Sequence, residues 1–186
     1  MAMRRLIILC TALLSVAQVW AQSPASDRAR LDRIEQSLKA DVPRVRCLNE
    51  SITTGAQPTE KAYATAAANG FRSVLSLRTA GEGFDLVKER SAVGNSGLRY
   101  HNIPVISAAP QPEQADQFVR LVKEPANHPM LITCASANRV GAFMMIYRVA
   151  VQGWSEERAL SEAQTIGLRS DNLREFARHY IARHKQ

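Results

Sequence analysis

Two hydrophobic periods alternate along this chain. Leu31, Ile34 and Leu38 recur at helical spacing and predict an amphipathic opening helix, whereas Val45 to Thr53 reads as one extended segment. Thr59 to Asn69 is rich in alanine and is followed by Gly70, the pattern of a helix stopped by glycine. Ser73 to Leu77 (SVLSL) reads as a buried strand. A Gly-containing loop (TAGEGFD) leads to a helix around Leu86 to Val93, and Leu98 to Val105 is the next strand, its end marked by Pro104. Ser107 to Pro112 is a loop, Glu113 to Glu124 a helix, and Met130 to Thr133 a short apolar strand behind Pro129. A long apolar helix follows from Val140 to Gln152, closed by Gly153. Ser155 with Glu156 and Glu157 starts another helix, and Ser170 with Asp171 starts the last.

Strands separated by helices predict an α/β fold, with a central, mainly parallel sheet covered by helices on both faces. Ligands of such folds bind at the carboxyl ends of strands. The strand ending at Thr133 therefore aims Cys134 at the expected site.

The start of the chain has a different character. Met1 to Arg5 is a short basic stretch, followed by the apolar run Leu6 to Trp20 and then Ala21, which reads as a secretory signal peptide cleaved after Ala21. The run falls short of the ~20 residues that span a bilayer comfortably, and the polar stretch QSPASDR follows at once, so no stable membrane span is expected after processing. The expected organisation is a signal peptide at 1–21, a helical extension at 22–44 and one domain at 45–186, with a periplasmic or secreted location. A composition of 46% hydrophobic and 22% charged residues fits a single packed domain.

Charge changes this picture little. The formal net charge is +7, and loss of Arg4 and Arg5 with the signal peptide leaves +5. The excess gathers at Arg169, Arg174, Arg178, Arg183 and Lys185, but Leu173, Phe176, Ala177, Tyr180 and Ile181 form an apolar stripe among them, as on a solvated helix face. With no aromatic interleaving and no binding motif, nucleic acid is not expected as a partner. Cys47 and Cys134 remain after processing in a compartment that permits disulfides, so their pairing is one reading. The chain has no CxxC or HExxH, and His101, His128, His179 and His184 are dispersed. Neither a metal nor a cofactor is expected.

The chemistry concentrates in Cys134-Ala135-Ser136-Ala137-Asn138-Arg139, between a strand and a helix. Successive backbone N–H groups of such a turn curl around an oxyanion, and the helix N-terminus adds its positive dipole end. The same field favours thiolate over thiol at Cys134, a nucleophile, while the Arg139 fork holds two oxygens of a phosphate.

In this context the sequence resembles a family, the beta-lactamase-hydrolase-like phosphatase domain, bacterial relatives of dual-specificity phosphatases. The resemblance rests on TTGAQPTEKAYATAAANGFRSVLSLR (Thr53 to Arg78), on GLRYHNIPV (Gly97 to Val105), on the CASANR loop and on GWSEERALSEAQTIGL (Gly153 to Leu168). It implies a cysteine-phosphatase-like fold and hydrolysis of phosphomonoesters through a cysteinyl-phosphate on Cys134. Ala135, Ser136, Ala137, Asn138 and Arg139 would hold the phosphorylated substrate or an inorganic oxyanion. Most cysteine phosphatases place five residues between Cys and Arg; this chain has four, as expected of the resembled family and of rhodanese-type sulfurtransferases.

Three positions depart from the resembled pattern, with Ala137 in place of Gly, Thr133 in place of His and Val140 in place of Ser or Thr. Gly permits backbone conformations that Ala resists, and the other two support the sulfur anion, so weakened activity is expected. The resemblance also implies a general acid on a neighbouring loop. Ser107 to Pro112 contains none; Glu113 and Asp116 lie just beyond, Glu82 and Asp85 lie on another loop, and Asp116 is the expected general acid. A rhodanese-like sulfurtransferase and a non-catalytic oxyanion-binding protein remain the alternatives.

Overall fold

Side chains alternate across the strands into two apolar cores, one on each face of a single sheet. The computed structural model describes residues 24–184, so the segment read as a signal peptide lies outside the described residues. The order is α1 (Pro24–Leu38), β1 (Arg46–Cys47), β2 (Ile52–Gly55), α2 (Glu60–Ala68), β3 (Ser73–Ser76), α3 (Leu86–Asn95), β4 (Arg99–Asn102), α4 (Pro112–Lys123), β5 (Met130–Thr133), α5 (Asn138–Ala150), α6 (Glu156–Ile166) and α7 (Asp171–His184). No described helix is long and apolar enough to cross a membrane.

The five strands run in the order β1-β2-β5-β3-β4. All neighbours are parallel except β1, which pairs antiparallel with β2, Cys47 opposite Thr53. The expected single extended segment from Val45 to Thr53 is therefore a hairpin. Its turn has neither Gly nor Pro; the Asn49 side chain closes it by accepting the N–H groups of Ser51 and Ile52. The expected strand from Leu98 to Val105 is shorter, ending at Asn102 before Pro104, which has no N–H for the ladder.

In β5, Met130 and Ile132 point into the core under α4, α5, α6 and α7, while Leu131 points into the core under α1, α2 and α3. This two-sided burial explains why β5 reads as a continuous apolar run. Helix α5 is buried from Arg139 to Val149, wedged between the sheet and α6 and α7. Gly141 makes that approach feasible, because a Cβ there would lie 2.6 Å from the Ala163 carbonyl oxygen. On the other face, Ile34, Leu38 and Val42 share a core with α2 and β3. Glu35 accepts the Cys47 N–H at 2.7 Å and so covers the exposed side of edge strand β1.

Among the described residues the two cysteines, Cys47 and Cys134, are buried and unpaired. Cys47 belongs to the core under α1, α2 and α3 and takes a hydrogen bond from the Thr53 hydroxyl at 3.2 Å, whereas Cys134 belongs to the opposite core. A disulfide needs Cβ atoms about 4 Å apart, and two thiols on opposite faces of a sheet do not meet that geometry.

Candidate active site

Strand β5 lies at the centre of the sheet and delivers Cys134 at its carboxyl end, fully buried. The chain then reverses into α5 through Ala137, whose φ of 65° and ψ of 3° lie in the left-handed region. A residue with a Cβ pays about 1–2 kcal/mol for that conformation. The loop it forms is an anion cradle in outline: among the described residues, the N–H groups of Ala135, Ser136 and Ala137 donate to no protein acceptor. On its outer side the Ala135 carbonyl accepts the Gln57 N–H at 3.4 Å, which ties the loop to the turn Gln57-Pro58.

Arg139 follows in the first turn of α5 and is 5% exposed. Its Nη1 donates to the carbonyl oxygens of Leu77 at 2.9 Å and Val105 at 2.7 Å, the residues that follow β3 and β4. Both guanidinium nitrogens also meet Glu82, Nη1 to Oε1 and Nη2 to Oε2, each at 2.6 Å. Burial works against the Arg139 charge, but the bond to Glu82 and the neighbouring Cys134 sulfur outweigh it and push its pKa up. Three elements thus fix one cation beside the sulfur.

Glu82 ends a single turn of 3-10 helix, Ala80–Glu82, after β3. Its Oε1 also accepts the Thr79 N–H at 2.8 Å and the Thr79 hydroxyl at 3.1 Å. Burial alone would raise its pKa; the Arg139 and Thr79 hydrogen bonds overcome that and hold the carboxyl at about 2. Arg78 lies 3.6 Å from Glu82 on the other side, donates to the Gln57 side chain and rests over the Phe84 ring at 3.9 Å. By sequence Glu82 is one of four candidate proton donors or a helix-start charge. Its role as the partner of Arg139 had one readable trace, the Thr79-x-x-Glu82 spacing of a capping box.

The connection from α6 to α7 clamps the loop from behind. Asn138 Oδ1 accepts the N–H groups of Arg169 at 2.9 Å and Ser170 at 3.2 Å, so this side chain works within the protein rather than on a ligand. Gly167, at φ 153°, packs so closely that a Cβ there would lie 3.0 Å from the Cβ of Ala137 and 3.2 Å from the Ser136 carbonyl oxygen. No local signal in the sequence marks Gly167 for this role. At the position where the resembled family has His, the Thr133 hydroxyl is buried without a hydrogen-bond partner among the described residues.

A shallow cavity of about 310 Å³ opens over the loop, lined by Thr79, Glu82, Val105, Ile106, Ser107, Ala135, Ser136, Asn138 and Arg139. Of the predicted binding residues, Ala135, Ser136, Asn138 and Arg139 reach it, while Ala137 is fully buried beneath. Asp116, the predicted general acid, does not. It lies on α4, where Ala115 and Phe118 face the core, and its carboxylate accepts the Tyr180 hydroxyl of α7 at 2.6 Å. Asp85 caps α3 through the N–H groups of Val87 and Lys88, and Glu113 sits exposed in the first turn of α4. No group of three or more His, Cys, Asp or Glu among the described residues is placed to hold a metal ion.

The fold has known counterparts. A putative phosphatase (DUF442) from Shewanella putrefaciens superposes with a TM-score of 0.70 at 16% identity, covering 82% of this chain and 99% of that one. The PP-IP phosphatase SIW14 of S. cerevisiae, seen in complex with citrate, gives 0.63 at 17% identity over 75% of this chain and 87% of its own. TpbA of P. aeruginosa, seen in complex with phosphotyrosine, gives 0.59 at 22% identity over 74% and 82%. No curated protein matches the sequence. At these identities the likeness is one of fold, the α/β fold of dual-specificity phosphatases. The family model described as "DSP-PTPase phosphatase fused to NAD+ Kinase" matches residues 24–180, and the chain belongs to that family.

Proposed function

We propose that this protein is a cysteine-dependent phosphatase acting on phosphomonoesters. The observation that carries the reading is Arg139, held in place by Glu82, Leu77 and Val105 beside the Cys134 sulfur and beneath a loop whose N–H groups have no protein acceptor. In the proposed reaction the thiolate sulfur of Cys134 attacks phosphorus, a sulfur–phosphorus bond forms, and the ester bond breaks with its electron pair leaving on the substrate oxygen. Arg139 and the loop amides hold the three remaining oxygens as charge develops on them. Water then attacks phosphorus, releasing inorganic phosphate and the thiolate. TpbA is seen in complex with phosphotyrosine and SIW14 with citrate, which supports an anionic ligand for this chain.

Hydrolysis of an aryl phosphate by the reduced protein tests this. Cys134→Ser is expected to abolish turnover while phosphate or vanadate still raises its thermal midpoint by mass action. Arg139→Ala is expected to lose both. Turnover that survives Cys134→Ser would contradict the reading. Export to a periplasmic or secreted location is also proposed, supported by the basic start, the apolar run Leu6 to Trp20 and Ala21. A mature chain beginning at Gln22 is the expected product, and a chain retaining Met1 would contradict it.

A further inference from the structure

We propose that the site is selective for aryl phosphomonoesters, substrates that leave as phenolates, and works poorly on alkyl phosphates because its cavity supplies no proton to the leaving oxygen. This rests on the phosphatase reading above and narrows it.

The cavity wall holds one carboxyl group, Glu82. Both of its oxygens are engaged by Arg139, and Oε1 takes two further bonds from Thr79. A carboxylate so held is a hydrogen-bond acceptor and carries no proton to hand over. The loop at the mouth, where a neighbouring acid would have to lie, is instead built on Gln111 and Gln114. Gln114 accepts the Gln111 N–H at 2.9 Å and donates to the Pro104 carbonyl at 2.6 Å, and the Asn172 amide of α7 donates to the Ser107 carbonyl at 2.8 Å. These bonds fix the loop at both ends with no acid in it.

Without a proton donor the leaving oxygen departs as an anion, and its basicity decides the rate. A phenol such as tyrosine has a pKa of about 10, whereas an aliphatic alcohol is a far weaker acid, close to water. A positioned general acid contributes about 10² to 10⁴ in rate, and that is the range by which an alkyl ester falls behind an aryl one here. The rest of the wall fits the same substrates. Ile106 stands at the rim 60% exposed, an apolar face where the leaving group would lie. Arg139 is the one cation of the lining and is already matched by Glu82, so nothing there attracts a leaving group carrying further charge.

Phenyl phosphate and phenethyl phosphate share a ring and differ in the acidity of the leaving oxygen, which makes them the test. With the reduced full chain, kcat/KM for phenyl phosphate is expected to exceed that for phenethyl phosphate by about 10²-fold or more, with p-nitrophenyl phosphate faster still. Inorganic pyrophosphate, a good but charged leaving group, is expected to trail phenyl phosphate, and Ile106→Lys is expected to narrow that gap. Equal rates on the phenyl and phenethyl esters, both lost in Cys134→Ser, would overturn the selectivity and leave the phosphatase reading intact. No Cys134-dependent turnover of any of these esters would overturn both.

Discussion

Glu82 and Arg139 meet edge to edge through two hydrogen bonds of 2.6 Å, although 57 residues separate them in the chain. The pair fixes the guanidinium plane beneath the loop that follows Cys134.

The first prediction concerns that pair. Glu82→Ala should cost about 1–3 kcal/mol, below the cost of breaking a fully buried ion pair because the Glu82 side chain is 25% exposed. Hydrolysis should fall more steeply than stability, since Arg139 loses its orientation. Glu82→Gln, which keeps the shape, should recover much of the stability. Urea unfolding and steady-state rates on both variants check this; an alanine variant with unchanged rates would contradict it.

A pH dependence follows from the same carboxyl. Its pKa is about 2 in the folded protein against an ordinary 4.5, so the pair contributes stability that is present above pH 4.5 and is lost as the pH falls toward 2. The difference in thermal midpoint between the parent and Glu82→Gln should therefore shrink across that interval. A difference that stays constant through it would show that Glu82 is not the titrating group.

The close contact between Gly167 and Ala137 gives a third prediction. Gly167→Ala places a methyl 3.0 Å from the Ala137 Cβ on a backbone at φ 153°. Overpacking of this kind costs about 1–3 kcal/mol, and the loop beneath it should shift enough to slow hydrolysis on the order of tenfold. Ala137→Gly alone should be near neutral in stability, because relief of about 1 kcal/mol at the left-handed position offsets about 0.8 kcal/mol for the buried methyl lost. Combined with Gly167→Ala, it should restore most of the rate. A double variant as impaired as Gly167→Ala would show that the clash lies elsewhere.

How much of this was legible in the sequence follows the separation of the residues involved. Cys134, Ala137 and Arg139 belong to one strand, turn and helix, so local pattern alone placed them together at a strand's carboxyl end. The helices were read nearly to their ends because caps and glycines mark them. The β1–β2 hairpin was read as one strand because Asn49 makes its turn with a side chain rather than with Gly or Pro. Glu82, Gln57 and Gly167 reach the loop from three distant segments, and no local signal says which acid or glycine will arrive there. Asp116 shows the converse: its position just beyond the mouth loop looked right, but the register of α4 turns it toward Tyr180.

The proposed reaction requires Cys134 to form a bond to phosphorus, and an acid quench of the reduced protein during turnover of p-nitrophenyl phosphate, followed by mass analysis of the peptides, detects that bond directly. A phosphoryl adduct on the peptide containing Cys134, absent in Cys134→Ser and absent from the peptide containing Cys47, is the result predicted. Steady turnover with no adduct at Cys134, or an adduct on another residue, would contradict the account.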